Sequence, residues 1–135
     1  TLNADETLWD VRQTWGWDYP LIAMTAARLH EPETAVGFLL LNGKNNQFGL
    51  SGMTPRVHLD EHADSFVPTA DGSANPVGPD GPGYTRAAET YFPSNGGLLL
   101  AVGMMAGGWD GSTGHAPGFP KQGWVVRAEG LRPLP

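Results

Sequence analysis

"PLIAMTAARLHEPETAVGFLLLN", residues 20–42, decides how this chain is read. Proline is favoured in the first turn of a helix, and Pro20 is followed by Leu21, Ile22, Met24, Thr25, Ala27 and Leu29 on a helical face. "HEP" interrupts that helix, because a residue preceding proline disfavours the α conformation. Pro32 then opens a second helix, "PETAVGFLLLN", which should stop at Asn42-Gly43, where a left-handed cap is easy. Two helices joined by about two residues fold back as an antiparallel αα-hairpin.

Upstream, "ADETLWDVRQ" (4–13) reads as a further helix with Asp5 as N-cap and Leu2, Leu8, Trp9 and Val11 as its apolar members. Downstream, residues 43–86 differ in kind, with turn dipeptides at nearly every step, and "ADGSANPVGPDGPG" (70–83) suits neither a helix nor a central strand. A loop this long is usually functional. The helical pattern resumes at "NGGLLLAVGMMA" (95–106), with Asn95 as N-cap and Gly107-Gly108 as terminator. Gly96, Gly97 and Gly103 weaken this helix by roughly 1 kcal/mol each relative to alanine, which points to close backbone packing. The tail "GWVVRAEGLRPLP" (123–135) reads as a short extended segment around Trp124 to Arg127, then Pro-limited coil.

The fold expected is therefore mainly α: helical hairpins, long ordered Gly/Pro-rich loops and a short C-terminal extended segment, in a single domain over 1–135 with 43–86 as a loop insertion. No βαβ alternation and no repeat is present in the pattern. Leu39–Leu41 and Leu98–Leu100 are continuous apolar runs, so both helices should be covered on more than one side. Leaving a Leu exposed forfeits roughly 1.5–3 kcal/mol. The chain is thus expected to form a homo-oligomer or to pack against further chain, as a fragment of a larger helical protein; it starts at Thr1 without an initiator Met.

The totals narrow the partners. With 135 residues, 40 % apolar content and a net charge of −6, the chain suits a globular protein and offers no basic patch for a nucleic-acid backbone. The 16 % charged content is low, while 19 Gly and 12 Pro are many, which favours ordered loop. No cysteine is present, so disulfides and cysteine-ligated metals are excluded and the compartment stays open. No apolar run reaches the roughly 18 residues that a membrane span needs, and there is no secretory leader pattern.

Three stretches carry chemistry. "WGWDYP" (15–20) has two readings: core aromatics Trp15, Trp17 and Tyr19 beside a capping Asp18, or the floor of a sugar site. Sugar sites combine apolar ring faces with a carboxylate that accepts hydroxyl hydrogen bonds. "GGWDG" (107–111) repeats the pair as Trp109-Asp110, either as a turn after a helix or as further substrate contacts. "HLDEH" (58–62) has the spacing of inverted zincins, which on a helix would set His58 and His62 on zinc beside Glu61. Pro55 and Pro68 leave room for only about two helical turns there, and a solvated acidic turn is the competing reading. Neither a phosphate-binding loop nor a serine nucleophile elbow is found, and no cofactor is expected.

"WDYP" resembles the tryptophan-aspartate-x-proline signature of the trehalases, a six-hairpin, (α/α)6-barrel glycoside hydrolase family. "TWGWDYPLIAMTAARL" (14–29), "YFPSNGGLLLAVGMMAGGWDG" (91–111) and "PGFPKQGWVVRAEGL" (117–131) together look like the C-terminal part of such a protein. The resemblance spans most of the chain apart from 43–86. It further aligns "ETYFPSNG" (89–96) with the family's Glu-Gly-Phe-Gly-Trp-Thr-Asn-Gly segment, in which Glu89, Asn95 and Gly96 agree.

The resemblance implies a barrel fold and a saccharide partner. It implies Glu89 as the base that activates water in an inverting hydrolysis and Asp18 as a substrate contact, with Asp18 as the acid possible in principle but not the family role. Trp15, Trp17, Tyr19, Asn95, Trp109 and Asp110 would be substrate contacts. The family's catalytic acid lies upstream of the tryptophan-aspartate motif and has no counterpart here, so glycoside hydrolysis is expected only if further chain supplies it. The alternative is a non-catalytic helical module that self-associates or binds carbohydrate, and a zinc hydrolase is a distant third.

Overall fold

A computed structural model of the chain describes residues 14–43, 45–49, 52–54, 56–59, 84–88 and 90–135. The described residues are mainly helical: α1 (Asp18–Arg28), α2 (Pro32–Leu39) and α3 (Phe92–Gly107), with a two-stranded antiparallel ribbon of β1 (Arg56–Leu59) and β2 (Tyr84–Ala88). The helix expected over 4–13 and the stretch 70–83 lie outside the described residues. Two compact units are formed, one from residues up to Gly16 together with 42–95, the other from 17–41 together with 96–135.

The second unit contains the hairpin. Helix α1 begins at Asp18, two residues before the expected start, so Pro20 is the third helical residue. Proline is tolerated there because the first four N–H groups of a helix have no intrahelical partner anyway. Trp17 is the N-cap and makes no side-chain cap bond, so Asp18 is not the cap that the sequence suggests. Instead its carboxylate lies in the first turn, where the helix dipole favours negative charge. The core of this hairpin is small-residue packing: Ala23, Ala26, Ala27 and Ala35 are fully buried, with Tyr19, Val36 and Phe38 around them.

The turn between α1 and α2 has a defined cause. His30 takes a left-handed φ of 61°, its N–H donates to Ala27 O at 3.0 Å, and Glu31 N–H reaches back to Ala26 O at 3.0 Å. This pair of bonds is a Schellman cap, normally built on glycine. A non-glycine residue in that conformation costs about 1 kcal/mol. His30→Gly is therefore expected to stabilise the chain by about 0.5–1 kcal/mol, and a thermal melt that moves downward would contradict the assignment.

Helix α2 ends at Leu39, three residues short of the expected Asn42. Leu40 N–H still bonds Val36 O, and Leu41 N–H bonds Phe38 O at 3.3 Å in a tighter i to i−3 turn that closes the helix. Three successive leucines carry no periodicity that would place this end.

Helix α3 starts at Phe92 rather than Gly96, because Pro93 is an N-terminal turn residue and Ser94 N–H already bonds Tyr91 O at 3.1 Å. Asn95 is thus inside the helix and is not its cap. Of its glycines, Gly97 and Gly107 meet close packing, since a Cβ would lie 2.8 Å from Pro20 Cγ at the first and 3.0 Å from Leu131 Cβ at the second. Gly96 and Gly103 face open space. At the other end, Gly108 (φ 91°) turns left-handed and its N–H caps Met104 O at 2.7 Å.

Residues 124–129 of the tail have no ladder partner among the described residues. The tail returns to α3 through a short parallel bridge of Trp109 with Leu134, in which Asp110 N–H bonds Leu134 O at 2.8 Å and Leu134 N–H bonds Gly108 O at 3.0 Å. Leu40 (69 % exposed), Leu99 (74 %) and Leu100 (50 %) are open to solvent, so the cover expected for the leucine runs is not found among the described residues.

In the first unit, β1 and β2 pair within what the sequence presents as loop. Arg56 opposes Ala88 and Leu59 opposes Tyr84, with a bulge between Arg56 and Val57. His58 is therefore a strand residue, and the helix that would put His58 and His62 on one face of a zinc site does not begin there. Glu61 and His62 lie outside the described residues, among which no group of three or more His, Cys, Asp or Glu could hold a metal. Among them, too, no helix is long and apolar enough to cross a membrane.

Candidate functional site

Trp15 is the centre of a polar–aromatic cluster in the first unit. Trp15 is 42 % exposed, so part of its surface is open to solvent. The Arg56 guanidinium carbon sits 3.8 Å from the indole centroid, while Tyr91 meets the same ring at 5.6 Å and a tilt of 43°. Arg56 is only 7 % exposed. A desolvated guanidinium on an indole face is worth about 2 kcal/mol, so Trp15 is held in place from two directions.

The backbone around Trp15 is fixed as tightly. Asn45, 1 % exposed, donates from Nδ2 to Thr14 O at 2.9 Å. Gly16 presses on Ser94 and Asn45 so closely that a Cβ would lie 2.0 Å from Ser94 Oγ and 2.3 Å from Asn45 O. Tyr91 is positioned by its N–H, which donates to Thr54 O at 2.8 Å and ties the start of α3 to the chain entering β1. Asn95 donates from Nδ2 to Gly52 O at 2.6 Å, and Gly52 (φ 74°) turns left-handed to offer it.

Thr54 Oγ1, Ser94 Oγ and Asn95 Oδ1 are buried in this cluster without a hydrogen-bond partner among the described residues. Each such group costs about 1–3 kcal/mol unless water or a ligand hydroxyl completes it. The part-exposed indole, with the Tyr91 ring beside it, offers an aromatic surface on which a polyhydroxylated ring can stack by C–H contacts, while the buried polar groups hold that surface in place.

The other residues expected at a site are placed differently. Tyr19 is 1 % exposed and Trp109 5 % exposed, so both are core side chains with no accessible ring face. Asp18 is also buried, at 5 % exposure. Trp17 is 41 % exposed and Asp110 is exposed, both in the second unit. The turn after α3 is closed by Ser112, whose Oγ accepts from Trp109 N–H at 2.8 Å and donates to Trp109 O at 2.7 Å. "GGWDG" is thereby a capped turn with its tryptophan inward. Glu89 lies outside the described residues. Of the expected contacts, the first unit brings Trp15 and Asn95 into one cluster. Sequence reasoning missed Thr54, Arg56, Tyr91 and Ser94 there. Tyr91 and Ser94 stand inside the quoted "YFPSNGG", whereas nothing local marks Arg56.

No family model, curated protein or solved structure matches the chain.

Proposed function

We propose that the chain binds saccharide at the Trp15 cluster and serves as the sugar-contacting part of a helical, (α/α)-barrel glycosidase-type protein. The observation that carries this reading is the half-exposed Trp15 ring gripped by Arg56 and Tyr91, because a pre-positioned aromatic face lowers the ordering cost of binding. Catalysis needs two carboxylates across the glycosidic bond. In this reading Glu89 is the base that activates water, Asp18 is structural, and the acid comes from further chain, so the chain alone binds without cleaving. Titration with trehalose, maltose and cellobiose, followed by tryptophan emission, is expected to saturate without turnover of aryl glycosides. A flat response to all three sugars overturns the reading.

The open leucines favour a second reading, self-association through the helices of the second unit. Apolar side chains left open in this way are available to a second copy of the chain. Sedimentation is expected to give a mass above the 14.4 kDa of one chain, and Leu99→Gln is expected to shift it toward one chain. A native mass of one chain at high concentration rules self-association out.

A further inference from the structure

We infer that the loop of residues 115–126 forms a second binding site, for a small ring compound carrying one carboxylate. A cleft of about 250 Å³ opens there, lined by His115, Phe119, Lys121, Trp124 and Val126 among others. Pockets for drug-sized ligands run to roughly 300–1,000 Å³, so this one suits a single ring.

The loop is fastened to α3. Gly118 N–H donates to Met105 O at 2.9 Å, and its α-carbon lies where a Cβ would stand 2.6 Å from the Met105 backbone. Ala116, buried at 5 % exposure, is held at a left-handed φ of 45°, a conformation that costs an alanine about 1 kcal/mol. Strain of this kind persists only where the surroundings impose it, and it gathers at binding sites. On this base Phe119 and Trp124 form an aromatic pair, 5.6 Å between centroids at 46°, with Phe119 buried and Trp124 43 % exposed.

The polar groups fix the ligand's charge. Lys121 Nζ donates one hydrogen bond to His115 O at 3.1 Å, which holds the ammonium at the cleft and leaves two N–H donors. His115 Nε2 lies 2.9 Å from Val126 O; a carbonyl only accepts, so Nε2 carries the proton and donates it there, and Nδ1 can accept from a ligand hydroxyl. No lining residue is acidic, although the chain as a whole carries a net charge of −6. A cation beside an exposed aromatic face, with no carboxylate among the lining residues, selects a ring with one anionic group.

The test uses the full chain with D-glucuronate, benzoate, D-glucose and benzamide as probes, followed by calorimetry at low salt. Glucuronate or benzoate is expected to bind about tenfold more tightly than its neutral counterpart, and Lys121→Gln to remove that preference while leaving the circular dichroism spectrum unchanged. Binding of glucuronate alone identifies an acidic sugar as the ligand class, and binding of benzoate alone an aryl acid; either supports the site. Equal binding of acids and neutral analogues, no binding of any probe, or an undiminished preference in Lys121→Gln overturns it. Lys121→Gln is expected to leave the trehalose, maltose and cellobiose titrations unchanged, which separates the fate of this site from that of the Trp15 cluster.

Discussion

Gly16→Ala is expected to destabilise the chain by about 3 kcal/mol, a fall of roughly 10 °C in melting temperature. The added methyl would stand 2.0 Å from Ser94 Oγ and 2.3 Å from Asn45 O. The hydroxyl could rotate away, but the Asn45 carbonyl is backbone, in a residue whose side chain is anchored to Thr14 O and is buried. Relief therefore requires the segment carrying Trp15 to move away from Asn45 or from the start of α3. The same substitution should weaken saccharide binding, since the platform is displaced with its neighbour. Differential scanning calorimetry of the two proteins checks the first effect. A melting temperature within about 2 °C of native would show that the close approach at Gly16 does not exist.

The second large effect belongs to the other unit. Gly118→Ala is expected to cost about 2–3 kcal/mol, because its Cβ would lie 2.6 Å from Met105 Cα, Cβ and Cγ at once. Met105 is fully buried in α3, so the helix cannot retreat, and the loop must leave. The Gly118 N–H bond to Met105 O breaks as it does so. The Phe119–Trp124 pair sits directly after this anchor, so its emission should change along with the stability. Native-like stability with an unchanged spectrum would contradict the anchoring. Because the Gly16 and Gly118 contacts lie in different units, their effects are expected to be independent.

The hairpin of α1 and α2 was legible in the sequence because its signals are local. Pro20, Pro32 and the apolar spacing between them act within a few residues, and the structure follows them apart from the helix ends. The start of α3 was misplaced for an equally local reason: Asn95 is a good cap by type, but Pro93 two residues earlier already suits a first turn. The ribbon was not legible. Arg56–Leu59 finds its partner in Tyr84–Ala88, far along the chain, and short strand pairing of that kind leaves no signature in either segment alone.

The site divides in the same way. Trp15 stood out by its residue type and neighbours, and Asn95 by its position in a quoted motif. Arg56, the group stacked on the indole, is brought there only by β1 and could not be seen from spacing. Tyr19 and Trp109 share the composition of a sugar-binding aromatic but are buried, at 1 % and 5 % exposure. Residue type indicated what an aromatic could do, and only packing decides which of the tryptophans and tyrosines is presented.

The central claim is that Trp15 is a saccharide platform. Calorimetric titration of native chain and Trp15→Ala with trehalose, maltose and cellobiose tests it most directly, since the ring is 42 % exposed and its removal leaves little of the core to collapse. At least one sugar is expected to bind native chain, and Trp15→Ala to bind it more weakly by about tenfold or more, as truncation of an aromatic anchor does. Equal affinity in the two proteins, with both folded, would contradict it.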